Sequence, residues 1–405
     1  MKKLLYAATI AATLSLAGNA GCASNGSRHA KTPTQKEQAT KQWNAARAGV
    51  MASMAKSQYE SGNFDQCQTT VTDAMRLNPE SPELHLLQAK LGIEKGQLDV
   101  ADKELQQVKT LAPQMAEADY LSGVVFQRWN KDEQALASYT AAFEKLPTEP
   151  AYLLARCEML VALDRSPEAL QVLEEKIITF DQNGPLRDAL GQLYVGQGRY
   201  AEAVTVLRQA ASMTPDDQLI REHLAMAYFF NKQHSEAGAI FEKLLKVEKN
   251  QSRGELWLAM GECQMQLGRT GNARTSFDRA CQAMPSSPRA WTSHAKAAMQ
   301  LGDQRRAELS LRKALSLESS APDTHLLLGY LKLRQDKLPE ALVEFRKANE
   351  LDQGDTVSLC MIGYVFEKSG KTDRAMKYYA QALKMRPNDE LATRLMATID
   401  ANERE

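Results

Sequence analysis

Small residues recur at a nearly fixed distance along this chain of 405 residues. One series consists of alanines separated by 34 residues, except for a single step of 36: Ala101, Ala135, Ala169, Ala203, Ala237, Ala273, Ala307, Ala341 and Ala375. A second series precedes it by twelve residues and shares the longer step: Ala55, Ala89, Gly123, Cys157, Gly191, Ala225, Gly261, Ala295, Gly329 and Gly363. Such a period predicts a stack of one small structural unit, not a globular domain with a buried catalytic pocket.

Each period has the pattern of two amphipathic helices joined by a tight turn. In the fifth period, Gly198 lies five positions before Ala203, and glycine at this place can end the first helix in a left-handed conformation. Pro215 follows that residue by twelve positions, where proline stops the second helix. Two small positions in phase indicate helices that cross closely. The single long step indicates two extra residues between units, near Ser252 and Arg253.

Together these residues resemble the tetratricopeptide repeat, a helix–turn–helix unit of 34 residues. The fifth period supplies the family's pattern most fully, with Leu190, Gly191, Tyr194, Gly198, Tyr200, Ala203, Leu207, Ala210 and Pro215. The fourth period departs most, because Asp164, Ser166 and Asp181 stand where the family has glycine, an aromatic residue and proline.

The resemblance implies an all-α fold, a right-handed α-solenoid of about ten helix–turn–helix units over residues 48–389. The predicted repeats are 48–81, 82–115, 116–149, 150–183, 184–217, 218–251, 254–287, 288–321, 322–355 and 356–389. Residues 390–405 are predicted to form a C-terminal capping helix, because the last repeat of a solenoid exposes an apolar face.

The N-terminal residues 1–21 have the pattern of a secretory signal peptide. Lys2 and Lys3 precede an apolar stretch that ends at Leu16 and is too short to span a membrane. Residues 22–47 are interpreted as an anchor cysteine, a polar tether and the start of the first helix.

The segment that ends at Cys22 resembles a bacterial lipoprotein processing site, in which the cysteine becomes the lipidated N-terminus. Asn19 departs from the aliphatic residue that this family prefers, and ordinary cleavage after Ala20 is the alternative. Ala23, in place of aspartate, favours the outer membrane, facing the periplasm. We therefore expect an exported protein that is attached to the membrane through a lipid.

No constellation for catalysis, a metal or a cofactor stands out in the sequence. The six histidines lack zinc-ligand spacing, and no glycine-rich phosphate loop or serine elbow is present. The six cysteines are expected to be mainly buried thiols. Charge is balanced at 50 basic and 50 acidic residues, which does not favour nucleic acid as a partner. Neither an enzymatic activity nor a small-molecule substrate is predicted.

The resemblance also implies a concave groove lined by the first helices, largely through repeat positions 2, 5, 9, 12 and 13. In the middle of the chain these positions are apolar: Leu154, Val161, Leu219, Met226, Phe229, Phe230, Leu258, Met265, Met299, Leu326 and Tyr330. An apolar groove with flexible methionines and rigid aromatic rings suits an amphipathic helix or an extended peptide. The alternative is that several of these side chains pack against the next repeat.

We therefore expect a non-enzymatic scaffold that binds peptide or helical segments of partner proteins in the bacterial cell envelope. Exported repeat lipoproteins of this kind resemble those that assist pilus, secretion or envelope-complex assembly. Two alternatives remain at this point, which are a self-associating architectural protein and an adaptor for cell-wall enzymes.

Overall fold

Alternating amphipathic segments of about three to four turns form the predicted helical hairpins. The structure is a computed structural model that describes residues 34–402, with side chains described through residue 399. Every regular element in this range is helical. The predicted signal peptide and Cys22 lie outside the described residues. The chain divides into two compact units, Met1–Pro113 and Gln114–Glu405, a division that the regular repeat did not predict.

The first unit contains two hairpins. Its helices are α1 Gln35–Glu60, α2 Phe64–Leu77, α3 Pro82–Glu94 and α4 Leu98–Leu111. α1 has 26 residues, twice the 13 of α3, so it extends well before the predicted first repeat. Thr34 starts it through a capping box, in which Thr34 Oγ1 accepts from the Glu37 amide and Glu37 Oε2 accepts from the Thr34 amide.

The second unit contains eight hairpins and a final helix. Its first helices are α5 Ala116–Arg128, α7 Pro150–Ala162, α9 Gly184–Gly196, α11 Gln218–Phe230, α13 Gly254–Gln266, α15 Pro288–Gln300, α17 Pro322–Arg334 and α19 Thr356–Lys368. Its second helices are α6 Asp132–Lys145, α8 Ser166–Lys176, α10 Tyr200–Met213, α12 His234–Leu245, α14 Thr270–Ala283, α16 Gln304–Leu317, α18 Leu338–Leu351 and α20 Thr372–Met385. The final helix is α21, Glu390–Asn402. None of the helices within residues 34–402 is both long and apolar enough to cross a membrane.

The two helices of a hairpin cross where the small residue of the first helix lies. A Cβ added at Gly329 would be 2.5 Å from Cε1 of Phe345, which is fully buried. The same distance separates an added Cβ at Gly261 from the ring of Phe277. The space that a side chain would fill in the first helix is therefore occupied by a large side chain of the second.

Residues in the left-handed conformation end the first helices. Six are glycines with φ between 70° and 76°: Gly62, Gly96, Gly198, Gly268, Gly302 and Gly370. The other four have φ between 56° and 61°: Asn130, Asp164, Lys232 and Asp336. Asparagine and aspartate tolerate this region because their short polar side chains bond locally, whereas lysine has no such compensation.

A hydrogen bond to the preceding loop recurs at the fourth residue of several first helices. The indole N–H of Trp257 donates to the Gln251 carbonyl and that of Trp291 to the Pro285 carbonyl, each at 2.9 Å. Arg187 donates to the Asp181 carbonyl at 2.8 Å, again six residues back. His85 and His325 bond the carbonyls of Pro79 and Ser319 in the same way. In each of these repeats, the loop carbonyl six residues before the donor is therefore satisfied, although the donors differ chemically.

Two connections depart from the regular spacing. In the fourth hairpin, α8 has 11 residues where most second helices have 14, and it ends at Lys176. The two extra residues between the sixth and seventh hairpins lie in a segment with a short 3-10 turn, Glu248–Asn250. Buried Asn250 fixes that segment, because its Nδ2 donates to the Leu244 carbonyl at 2.9 Å.

Replacing Gly329 by alanine should lower the free energy of unfolding by about 1–3 kcal/mol, because the new methyl group overlaps the ring of Phe345. Adding Phe345→Leu should recover part of this loss, since the second hairpin combines Ala89 with Leu105 at the same positions. Denaturant unfolding followed by circular dichroism measures both effects. Gly271→Ala is the matched control, because no atom lies within 4 Å of its added Cβ. An unchanged Gly329→Ala variant would contradict the crossing.

Replacing Lys232 by glycine should raise the free energy of unfolding by about 1 kcal/mol, because lysine pays a steric cost at φ 61° that glycine does not. The same unfolding measurement tests this prediction. Lys246→Gly is a suitable control, since Lys246 has ordinary helical backbone angles and should be destabilised by glycine. A loss of stability in Lys232→Gly would show that the side chain contributes more than its backbone strain costs.

Candidate functional site

A groove of about 740 Å³ opens across three consecutive first helices of the second unit, α7, α9 and α11. Leu154 and Val161 line it from α7, Leu193 from α9, and Leu219 from the first turn of α11. Val161 is 43% exposed and Leu219 is 57% exposed, so apolar side chains meet solvent here.

The groove exists because two small residues replace an aromatic contact. Tyr200, the first residue of α10, stacks on Phe230 at the end of α11, with ring centroids 5.4 Å apart. One repeat earlier, the corresponding residues are Ser166 and Gly196, and both line the groove. The rings of Tyr200 and Phe230 cover the surface between their two hairpins. At the equivalent place one repeat earlier, Ser166 and Gly196 are too small to do so, and the groove is open there.

A fixed carboxylate lies at the base of the groove. Asp188 is 8% exposed, and its Oδ1 lies 2.8 Å from His223 Nδ1. Gln192 donates from Nε2 to Asp188 Oδ2, also at 2.8 Å. An ionised carboxylate only accepts, so His223 donates through Nδ1. Asp188 is therefore held in one orientation by two donors.

Two other carboxylates complete the polar part of the lining. Asp217 Oδ1 caps α11 by accepting from the amides of Leu219 at 2.9 Å and Ile220 at 3.3 Å. Glu158 projects from α7 and is exposed, and partial desolvation by its neighbours raises the pKa of its carboxyl. No Lys or Arg lines the groove.

Three of the predicted groove residues, Leu154, Val161 and Leu219, lie together in this groove. Met226 and Phe229 are half-buried and pack against the buried cluster of α11, α12 and α13. Phe229 also contacts the His234 ring, with centroids 5.2 Å apart. Phe230 is 39% exposed. The apolar side chains of α11 that were predicted to line the groove are thus partly used for packing.

The remaining predicted residues lie further along the second unit. Met265, Met299, Leu326 and Tyr330 are half-buried, and each packs against a core cluster. The Tyr330 ring meets Phe345 edge to face, at 5.4 Å between centroids, and burial raises the pKa of its hydroxyl.

Leu258 requires a correction. It was predicted to line the groove, but it is only 6% exposed and belongs to the buried cluster of α13, α14 and α15. α15 contributes two alanines to that cluster, Ala290 and Ala297. Such small residues let a neighbouring helix approach closely, so Leu258 is covered by the next hairpin.

The polar residues of the groove were missed because only apolar residues were selected. Asp188 occupies repeat position 5, and Glu158 and Gln192 occupy position 9. The same positional rule, applied without regard to polarity, identifies all three.

Cysteines and metal ligands do not form a reactive centre in the described range. Cys67, Cys157, Cys263, Cys281 and Cys360 are buried free thiols, as expected. Burial raises the pKa of the last four to about 12, so they remain protonated at neutral pH. Within residues 34–402, no group of three or more His, Cys, Asp or Glu side chains is arranged to hold a metal ion.

Curated relatives cover only part of this chain. BBSome complex member BBS4 of Bos taurus is 22% identical over 232 residues, which are 56% of this chain and 43% of BBS4. Protein O-mannosyl-transferase TMTC1 of Homo sapiens is 24% identical over 173 residues, 41% of this chain and 19% of that protein. The chain thus spans less than half the length of these relatives. Among solved structures, the Cut9–Hcn1 hetero-tetramer of the APC/C is similar, with 12% identity, a TM-score of 0.48, and coverage of 89% of this chain and 98% of that chain.

Family comparisons point to one kind of repeat. The family described as the C-terminal domain of cilia and flagella-associated protein 70 matches residues 221–405. Two tetratricopeptide-repeat families match residues 189–252 and 150–175. Together with the ten helical hairpins, these matches support a tetratricopeptide-repeat protein.

Proposed function

We propose that this protein is a protein-interaction scaffold that binds a peptide or helical segment of a partner in the groove formed by α7, α9 and α11. The single observation that carries the proposal is the exposure of Val161 and Leu219 beside half-buried Leu154 in one open groove. Water contact with these side chains costs free energy, at roughly 25 cal/mol per Å² of apolar surface. A partner segment that covers them removes this cost.

The groove also has the rigidity that binding requires. Its walls are helices with packed cores, and Asp188 is fixed by His223 and Gln192. A partner therefore finds the apolar and polar contacts already in place, which lowers the entropy lost on binding.

Leu219→Asp should weaken peptide binding by about tenfold or more, because a charge replaces a central apolar contact. Peptides selected from a random-sequence display library against the purified protein serve as probes, and fluorescence anisotropy measures their affinity. Leu309→Asp is the matched control, since Leu309 is 60% exposed on α16, outside this groove. Both variants should retain the helical circular dichroism signal. Equal affinities of the selected peptides for wild type and Leu219→Asp would refute the proposed site.

We further propose that the scaffold acts in a bacterial cell envelope, exported and attached to the outer membrane by a lipid on Cys22. The support is the signal-like segment before Cys22 and the small pair Ala20 and Gly21. Assistance in pilus, secretion or envelope-complex assembly is the role that fits such a location.

Cys22→Ala should move the protein from the membrane fraction to the soluble fraction, because the lipid is attached through this thiol. Cell fractionation followed by immunoblotting measures the distribution. Cys67→Ala provides the control, since Cys67 is buried in the first unit and should leave the distribution unchanged. Wild-type protein found only in the soluble fraction would remove the anchor from this proposal.

A further inference from the structure

We infer that the groove of α7, α9 and α11 selects a basic partner segment, in which a Lys or Arg lies between apolar residues. This inference rests on the proposed function, because it specifies the partner of the same groove. The cation would lie against Glu158 and Asp188, and the flanking apolar side chains would cover Leu154, Val161 and Leu219.

The lining of the groove has an excess of negative charge. Its lining contains three carboxylates, Glu158, Asp188 and Asp217, and neither Lys nor Arg. Over the whole chain, basic and acidic residues are equal in number, so this local excess is not a consequence of composition. A groove with one sign of charge between low-dielectric walls attracts the opposite charge.

The arginines at the start of α8 and α10 do not pair with these carboxylates. At the start of α8, Arg165 donates to Glu168 at 2.7 Å. At the start of α10, Arg199 donates to Glu174 at 3.0 Å and to Glu202 at 2.8 Å. Both guanidinium groups thus already have carboxylate partners outside the groove, and neither arginine forms an ion pair with Glu158.

Glu158 is an exposed carboxylate that lines the groove. Within the described residues no hydrogen bond or ion pair reaches its carboxylate. The surrounding groove removes part of its hydration, which disfavours the charged form. A cation placed beside Glu158 therefore forms an ion pair without displacing an existing partner.

Asp188 supplies the second anionic contact. His223 and Gln192 hold its carboxylate, but each carboxylate oxygen can accept more than one hydrogen bond. Asp188 can therefore accept from an incoming ammonium or guanidinium group without releasing either neighbour. Its fixed position selects where along the partner segment the cation must lie.

The apolar lining selects a protein segment over a free cation. A small cation would leave Val161 and Leu219 exposed, and the three carboxylates belong to no arrangement suited to a metal ion within residues 34–402. A segment with an acidic residue at the same place would put like charges together in a partly dehydrated site, which is unfavourable. A basic apolar segment satisfies both parts of the lining.

Matched peptides test the inference. Arrays of peptides of about 12 residues, built from Leu, Ala and Ser with one Lys at each successive position, are compared with arrays carrying norleucine at that position. Norleucine keeps the aliphatic chain and removes the charge. At the preferred position, the Lys peptide should bind the full protein at least about tenfold more tightly at low salt. Glu158→Gln should remove most of this preference, and Glu175→Gln, a change of an exposed carboxylate on α8, should keep it.

Each outcome has a separate meaning. If the norleucine peptides bind as tightly as the Lys peptides, the groove binds apolar segments but the charge inference is wrong. If the Lys preference persists in Glu158→Gln and in Asp188→Asn, the cation lies elsewhere and the inference is also wrong. If neither array binds and no peptide can be selected from the display library, the proposed function itself fails.

Discussion

The close crossing of two helices at a small residue is the contact on which every hairpin of this protein depends. Four of the five hairpins with glycine at the crossing place Tyr or Phe opposite it, and four of the five with Ala or Cys place Val or Leu there. In eight of the ten hairpins a smaller crossing residue is thus matched by a larger side chain opposite it, and the pairs Gly191–Leu207 and Ala225–Phe241 depart from this pattern. Because packed interiors tolerate neither overlap nor voids, the crossing pair sets the distance between the helices and hence the surface that each hairpin offers to the next.

Periodicity in the sequence was sufficient to predict the helices, because it depends on local geometry. The small series predicted the crossings that Gly329 and Phe345 illustrate, and glycines such as Gly198 predicted where the first helices end. The shortened α8 lies in the fourth repeat, which departs most from the family's pattern, but the length of α8 depends on tertiary packing. The boundary at Pro113 left no signal in the regular repeat.

The groove was harder to predict because it arises where a pair of aromatic side chains is absent. Position in the repeat selected Leu154, Val161 and Leu219, which line one groove, but the same rule included Leu258, which the next hairpin covers. The difference arises from neighbours, since α15 has small residues where it meets the cluster of Leu258. Likewise, the open space at Ser166 and Gly196 is evident only beside the Tyr200–Phe230 stack that closes the equivalent surface one repeat later.

A groove that spans three hairpins has a consequence for unfolding. In a stack where each hairpin touches mainly its neighbours, local opening of one hairpin leaves distant ones folded. A segment bound across α7, α9 and α11 contacts three hairpins at once, so opening any of them also breaks binding. A bound partner would thus link the three hairpins, so that they open together and partial unfolding becomes more cooperative. Hydrogen exchange over residues 150–230 would then report whether a partner is bound.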